Sequence, residues 1–216
     1  MSRLIDISPP VGRGAVVWPG DTPFELEVAW SPAHGDAVTV SRVTMSPHTG
    51  AHADAPLHVG AGPGDAAGLP LAAYWGPCRV LDWRREIARS SRGAIEEGDL
   101  AARAGEIAGA ERVLFRTLDR PLEVFPESFP HFTPGAAAWL AARAGLVLVG
   151  LDTFSVDAPD SKDLAAHRAF FAGGLAVLEE LDLSQAAAGR YELSALPLRL
   201  VGADASPVRA VLRTLE

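Results

Sequence analysis

The sequence holds a single cysteine, Cys78, so no disulfide can form within the chain. A reducing, cytoplasmic setting is the expectation that follows. No apolar run reaches the roughly 18–20 residues that a membrane-spanning helix needs. The opening stretch, Met1 to Asp6, has no apolar core of the signal-peptide kind, so none is expected. Positive charge is also short: 19 Lys and Arg stand against 27 Asp and Glu, a formal net charge of −8. That balance leaves no electrostatic footprint for nucleic acid or for an anionic membrane. Internal repeats and low-complexity tracts are lacking too. The glycine-rich run Gly60-Ala61-Gly62-Pro63-Gly64 has neither the lysine nor the following helix of a phosphate-binding loop. A small-molecule substrate or a protein partner remains.

What is present suits a globular domain. The 216 residues are 48% hydrophobic and 21% charged, enough for a sizeable core in one domain spanning 1–216. Strands are predicted at Leu4–Ile7, Phe24–Trp30, Val38–Met45, Cys78–Asp82, Arg112–Arg116, Leu146–Leu151 and Leu196–Val201. Phe24–Trp30 and Val38–Met45 alternate as half-buried strands do. Helices are predicted at Gly98–Ile107, Gly135–Ala144, Asp163–Phe171 and Pro207–Leu215, the third ended by Gly173-Gly174. Strands with helices between them make a mixed α/β fold. The segments Pro9–Pro23 and Pro47–Pro63 are too rich in Pro and Gly for helix and read as loops.

The densest chemistry lies in the second loop. Three of six histidines fall in His48-Thr49-Gly50-Ala51-His52-Ala53-Asp54-Ala55-Pro56-Leu57-His58. Imidazole and carboxylate are what zinc, manganese and iron take where thiolate is absent. On one straight strand His48 and Asp54 would lie about 20 Å apart, too far to share a metal site. The chain must therefore turn between His48 and His52, and Gly50 permits the turn. His52 and Asp54 can stay extended on one face, and Pro56 redirects the chain before His58. A metalloprotease helix is excluded, because Thr49 stands where a catalytic glutamate would be and Gly50 disfavours helix. The plain alternative is that these histidines cap turns and satisfy core carbonyls; three of them around an aspartate weigh against it.

This run resembles the H-x-G-x-H-x-D-x-P-x-H signature of the cyclase-like metal hydrolases, which include the bacterial kynurenine formamidases. Trp18-Pro19-Gly20-Asp21 is similar to that family's N-terminal loop, and Gly150-Leu151-Asp152-Thr153-Phe154-Ser155-Val156-Asp157 to its G-x-D-T-x-S-V-D segment. Leu196 to Leu200, with Asp204-Ala205-Ser206-Pro207-Val208-Arg209, resembles the C-terminal part of the formamidases in particular. The resemblance implies a compact, barrel-like mixed β/α domain assembled as a homodimer. It implies Zn2+, two per chain, with Mn2+ as the alternative. The ligands would be His48, His52, Asp54 as a bridge, His167 and Glu179. Glu180 stands where the family more often has asparagine, so which carboxylate binds is left between Glu179 and Glu180, with Glu179 favoured. His58 matches the proton donor and acceptor.

Outside the resemblance, His167 reads as an ordinary helix histidine and Glu179 as surface acidity. Trp18, on a Gly/Pro loop, either packs locally or meets a flat ligand, and it is expected to line the substrate pocket. His34 and His131 have no partners in sequence, and Cys78 reads as a small core residue. The leading expectation is hydrolysis of N-formyl-L-kynurenine to kynurenine and formate by metal-activated hydroxide, with a histidine as acid and base. Another cyclase-like amide hydrolase, such as one opening isatin, would use the same residues. A non-catalytic metal-binding module is the third reading; a spare histidine beside a filled site speaks against it.

Overall fold

The computed structural model describes residues 2–215. Thirteen strands occur among the described residues: β1 (Leu4–Asp6), β2 (Glu25–Trp30), β3 (Val40–Thr44), β4 (His52–Asp54), β5 (Trp75–Asp82), β6 (Ala94–Ile95), β7 (Arg112–Arg116), β8 (His131–Phe132), β9 (Leu148–Leu151), β10 (Ala176–Glu179), β11 (Gly189–Ser194), β12 (Ala205–Pro207) and β13 (Val211–Thr214). The helices are α1 (Arg84–Arg89), α2 (Glu97–Ala102), α3 (Ala104–Ile107), α4 (Pro134–Ala141) and α5 (Ala165–Ala172). Nine strands form one sheet in the order β1-β13-β11-β5-β7-β9-β10-β4-β12. Its centre, β5-β7-β9-β10, is parallel, and its flanks are antiparallel. The sheet curls into a half-barrel, the barrel-like mixed α/β domain expected from the sequence.

The central strands are short apolar runs because both their faces are covered. Successive side chains point to opposite faces, and this sorts neighbours in sequence into two cores. Leu114, Leu148 and Leu178 join Ile7, Val80, Leu193 and Leu212 on one face. Val113, Phe115, Val149, Leu151 and Val177 join Trp83, Leu140 and Phe170 on the other, beneath α2, α4 and α5. Each fully buried Leu or Phe stabilises the fold by about 1.5–3 kcal/mol. Gly150 belongs to this packing: a Cβ there would meet Leu114 Cδ2 at 2.4 Å and Leu181 Cδ1 at 3.0 Å.

Several sequence expectations change. The segment Pro207–Leu215, expected to be helical, contains β13, and Val208, Ala210 and Leu212 are buried with the period of two that belongs to a strand. The stretch 196–201 is not a strand. Pro197 cannot donate to a ladder, Leu198 donates its N–H to Ser206 Oγ at 2.7 Å, and Val201 is exposed. The helix expected at Gly98–Ile107 breaks at Arg103 into α2 and α3. Strands β10 and β11 were not expected. β2 and β3 are strands, but not half-buried ones. They pair only with each other, with a bulge between Val28 and Trp30, and every residue of both is exposed. No helix among the described residues is long and apolar enough to cross a membrane.

Candidate metal centre and active site

Strand pairing assembles the centre of the site. In β4, His52 lies opposite Glu179 of β10, and Asp54 lies opposite Ala205 of β12. His52 and Asp54 are two apart and so share a face, as their spacing predicted. The turn before them is where the sequence placed it. Gly50 has φ +68°, and a Cβ there would strike Val11 Cγ2 at 2.6 Å. This turn folds His48 back over His52, with ring centroids 4.9 Å apart. Pro56 then opens a short 3-10 turn, Pro56–Val59, which brings His58 to the same spot from another side, its ring 4.3 Å from that of His48.

His167 arrives from α5. Asp157 ties down the start of this helix, accepting from the N–H groups of Ala166 at 2.8 Å and His167 at 3.1 Å. The same carboxylate takes His167 Nδ1–H at 2.7 Å, which turns Nε2 toward the centre. His52 is set in the same manner, with Nδ1–H donating to the Gly50 carbonyl at 2.8 Å. Glu179 is held by the N–H of Val156, 2.6 Å from Oε1.

Asp54, with no exposed surface, is the hub. Its Oδ1 lies 3.1 Å from His48 Nδ1 and 3.4 Å from His52 Nε2, and its Oδ2 lies 3.2 Å from His167 Nε2. Glu179 Oε1 is 3.2 Å from His167 Nε2, and Oε2 is 3.4 Å from His52 Nε2. His48, Asp54 and His58 can aim ligand atoms at one point, and so can His52, Asp54 and Glu179. Asp54 is common to both sets. Glu180, with φ +52°, belongs to neither, although it lines the adjoining pocket. All five expected ligands and His58 are therefore gathered, while His34 lies exposed on the turn between β2 and β3 and His131 bonds the Phe129 carbonyl.

The donor set fits divalent cations. Asp54 Oδ1 and His52 Nε2 are buried without a hydrogen-bond partner, although they face each other. Leaving such atoms unsatisfied is costly, and a metal ion between them would satisfy both. Without an ion, charge on the imidazoles does part of that work. Burial disfavours charge on His52 and His167, but Asp54 and Glu179 outweigh it and hold both well above the usual imidazole value. Asp54, despite its burial, is held well below the usual carboxylate range by those histidines. Burial pushes Glu180 up to about 7.

A pocket of about 550 Å³ opens onto this centre, lined by Trp18, Asp21, His58, Phe154, Glu179 and Asp204 among others. Trp18 is 38% exposed and leans edge-on against Phe125, 5.0 Å between centroids. Phe125 in turn packs on Phe154 at 4.9 Å, so the wall is an aromatic cluster and not a lone indole. The sequence singled out Trp18 alone. Asp157 and Asp204 were also not chosen as site residues. Asp157 carried a faint signal as a carboxylate ten residues before His167, whereas Asp204 carried none outside the family resemblance.

A family model described as "Putative cyclase" matches residues 5–158. The chain belongs to the cyclase family. Solved structures agree over nearly the whole length. A "predicted metal-dependent hydrolase" from Bacillus stearothermophilus is 29% identical, with 99% of this chain and 98% of that one covered and a TM-score of 0.82. Isatin hydrolase A from Labrenzia aggregata is 26% identical, covering 100% of this chain and 94% of its own, with a TM-score of 0.82. Isatin hydrolase A from Ralstonia solanacearum, 21% identical with a TM-score of 0.83, covers 99% of this chain and 92% of its own, and it shares the fold. Within this cyclase-family fold, the ligand cluster lies where β4 pairs with β10 and β12.

Proposed function

We propose that this cyclase-family chain is a metal-dependent amidohydrolase acting on amides next to an aromatic ring, with N-formyl-L-kynurenine as its linear substrate. The observation that carries the reading is the junction of two ligand sets at Asp54, with His58 and an aromatic wall facing the same pocket. His48, His52, Asp54, His167 and Glu179 would hold the ions, zinc in this reading and two per chain. A bound divalent ion supplies Lewis acidity and brings the pKa of bound water close to neutrality. Trp18 and Phe154 hold the aryl ring, which places the amide carbon over the centre. His58 takes a proton from water as its oxygen adds to the formyl carbon. It returns that proton to the nitrogen as the C–N bond breaks, leaving aryl amine and formate. The formyl carbon carries no bulky substituent, so no deep acyl pocket is needed.

A second reading has its own support. Similarity to isatin hydrolase favours a cyclic amide, and no Lys or Arg lines the pocket among the described residues to pair with the carboxylate of kynurenine. Ring opening would use the same residues. The homodimer implied by the family resemblance is part of the proposal. Exposed Val28, Trp30 and Val43 on the β2–β3 ribbon support it, and the mass in solution tests it. The deciding experiment follows absorbance when zinc-loaded protein meets N-formyl-L-kynurenine and, separately, isatin. Turnover of neither would remove the proposal.

A further inference from the structure

Asp204 is joined by backbone to the strand that carries the hub carboxylate. Its carbonyl accepts the Ala55 N–H at 2.9 Å, and the next residue, Ala205, is paired with Asp54. Its side chain is 44% exposed and reaches across the pocket. One oxygen, Oδ2, lies 3.1 Å from His48 Nε2 and 3.3 Å from His58 Nδ1. A carboxylate only accepts hydrogen bonds, so the nitrogen facing Asp204 is the donor in each imidazole; His48 has a second carboxylate on its other side, Asp54 Oδ1 at 3.1 Å from Nδ1, and an ion bound at Nδ1 would leave its one proton on Nε2 toward Asp204. His58, whose Nδ1 faces Asp204 at 3.3 Å, is left with Nε2 bare. His52 and His167 have acceptors of their own, the Gly50 carbonyl and Asp157. Asp204 alone among these acceptors serves two histidines.

We propose that Asp204 is a positioning residue whose single oxygen sets the tautomers of His48 and His58 together, so that the ligand atom of one and the proton-accepting atom of the other are presented at the same time. The part of His58 as base and of His48 as ligand rests on the hydrolase reading above; the tautomer of His58 does not. An acceptor that orients a metal-site histidine is typically worth about 10–100-fold in activity or metal affinity.

The test compares the full-length protein with Asp204→Ala and Asp204→Asn. The amide of Asn is nearly isosteric, so it guards against loss of fold, yet its NH2 can donate and so admits the opposite tautomer. Imidazole nitrogen NMR on isotopically labelled protein, metal-free and zinc-saturated, should show the His58 proton on Nδ1 in the parent and mixed tautomers in both variants. At saturating zinc the variants should hold as many ions as the parent. The kcat on whichever amide the parent hydrolyses should fall about 10–100-fold, with KM little changed. An Nδ1 proton on His58 that persists in both variants would overturn the proposal. A lower ion count at saturation would also overturn it, making Asp204 a ligand. A parent inert toward both amides would sink the hydrolase reading, while the tautomer measurement would still decide the role of Asp204.

Discussion

Replacing Asp54 by Asn tests whether one carboxylate serves two ligand sets. The change removes a charge and hardly any volume from a side chain with no exposed surface, so the fold should persist. Asp54 belongs to both groups of converging ligand atoms, whereas Glu179 belongs to one. An ion that binds only the folded chain stabilises it by RT ln(1 + [L]/Kd), about 2.7 kcal/mol at a hundredfold excess over Kd. For a domain of this size each kcal/mol moves Tm by about 2–4 °C, so each zinc site filled should raise the Tm of the parent protein by about 5–11 °C. Thermal melts with and without zinc, beside elemental analysis, would follow this. Asp54→Asn should lose nearly all of the shift and both ions, and Glu179→Gln should lose only part. An Asp54→Asn protein that keeps the full shift and the parental ion count would refute the shared-hub argument.

His58→Ala should lower kcat by about 10²–10⁴-fold while keeping its metal, and His52→Ala should lose metal and activity together. Because His58 also converges with His48 and Asp54, a fall in metal content in His58→Ala would instead make it a ligand. Trp18→Ala should raise KM for an aryl amide; loss of stacking worth about 0.5–1.5 kcal/mol corresponds to about 2–13-fold, and unchanged kinetics in a folded variant would exclude the contact. The zinc-induced Tm shift should grow over the window that opens near pH 6.5 and runs upward. The raised His52 and His167 contribute stability to the metal-free fold below their unfolded value and lose it as pH rises through their folded values, while deprotonation frees them as ligands. A shift that shrinks over that window would contradict this. Gly150→Ala should cost about 1–3 kcal/mol by overpacking against Leu114, read as a lower denaturation midpoint.

Much of the site was legible because it is local. The run His48 to His58 carries four of its side chains within eleven residues, and simple strand geometry already demanded the turn that Gly50 makes. The central strands were legible too, since Arg112–Arg116 and Leu148–Leu151 are apolar enough to be buried on both faces. The last strand misled because Pro207–Leu215 mixes Arg, Ala and Leu, residues at home in helices; β13 forms because its slot between β1 and β11 supplies ladder partners. β2 and β3 alternate as half-buried strands do, yet every residue of both is exposed.

By itself the sequence determined the chemistry: which imidazoles and carboxylates were on offer, and where glycine and proline let the backbone turn. Only the tertiary structure decided which of them meet. Glu179 joins a set of converging ligand atoms because the β4–β10 register sets it opposite His52, whereas Glu180, which also lines the pocket, joins neither set. Asp157 and Asp204 act on His167 and on His48 with His58 across 10, 156 and 146 residues of chain. The two longer contacts come from sheet order, which depends on burial summed over the whole domain and cannot be read from one segment alone.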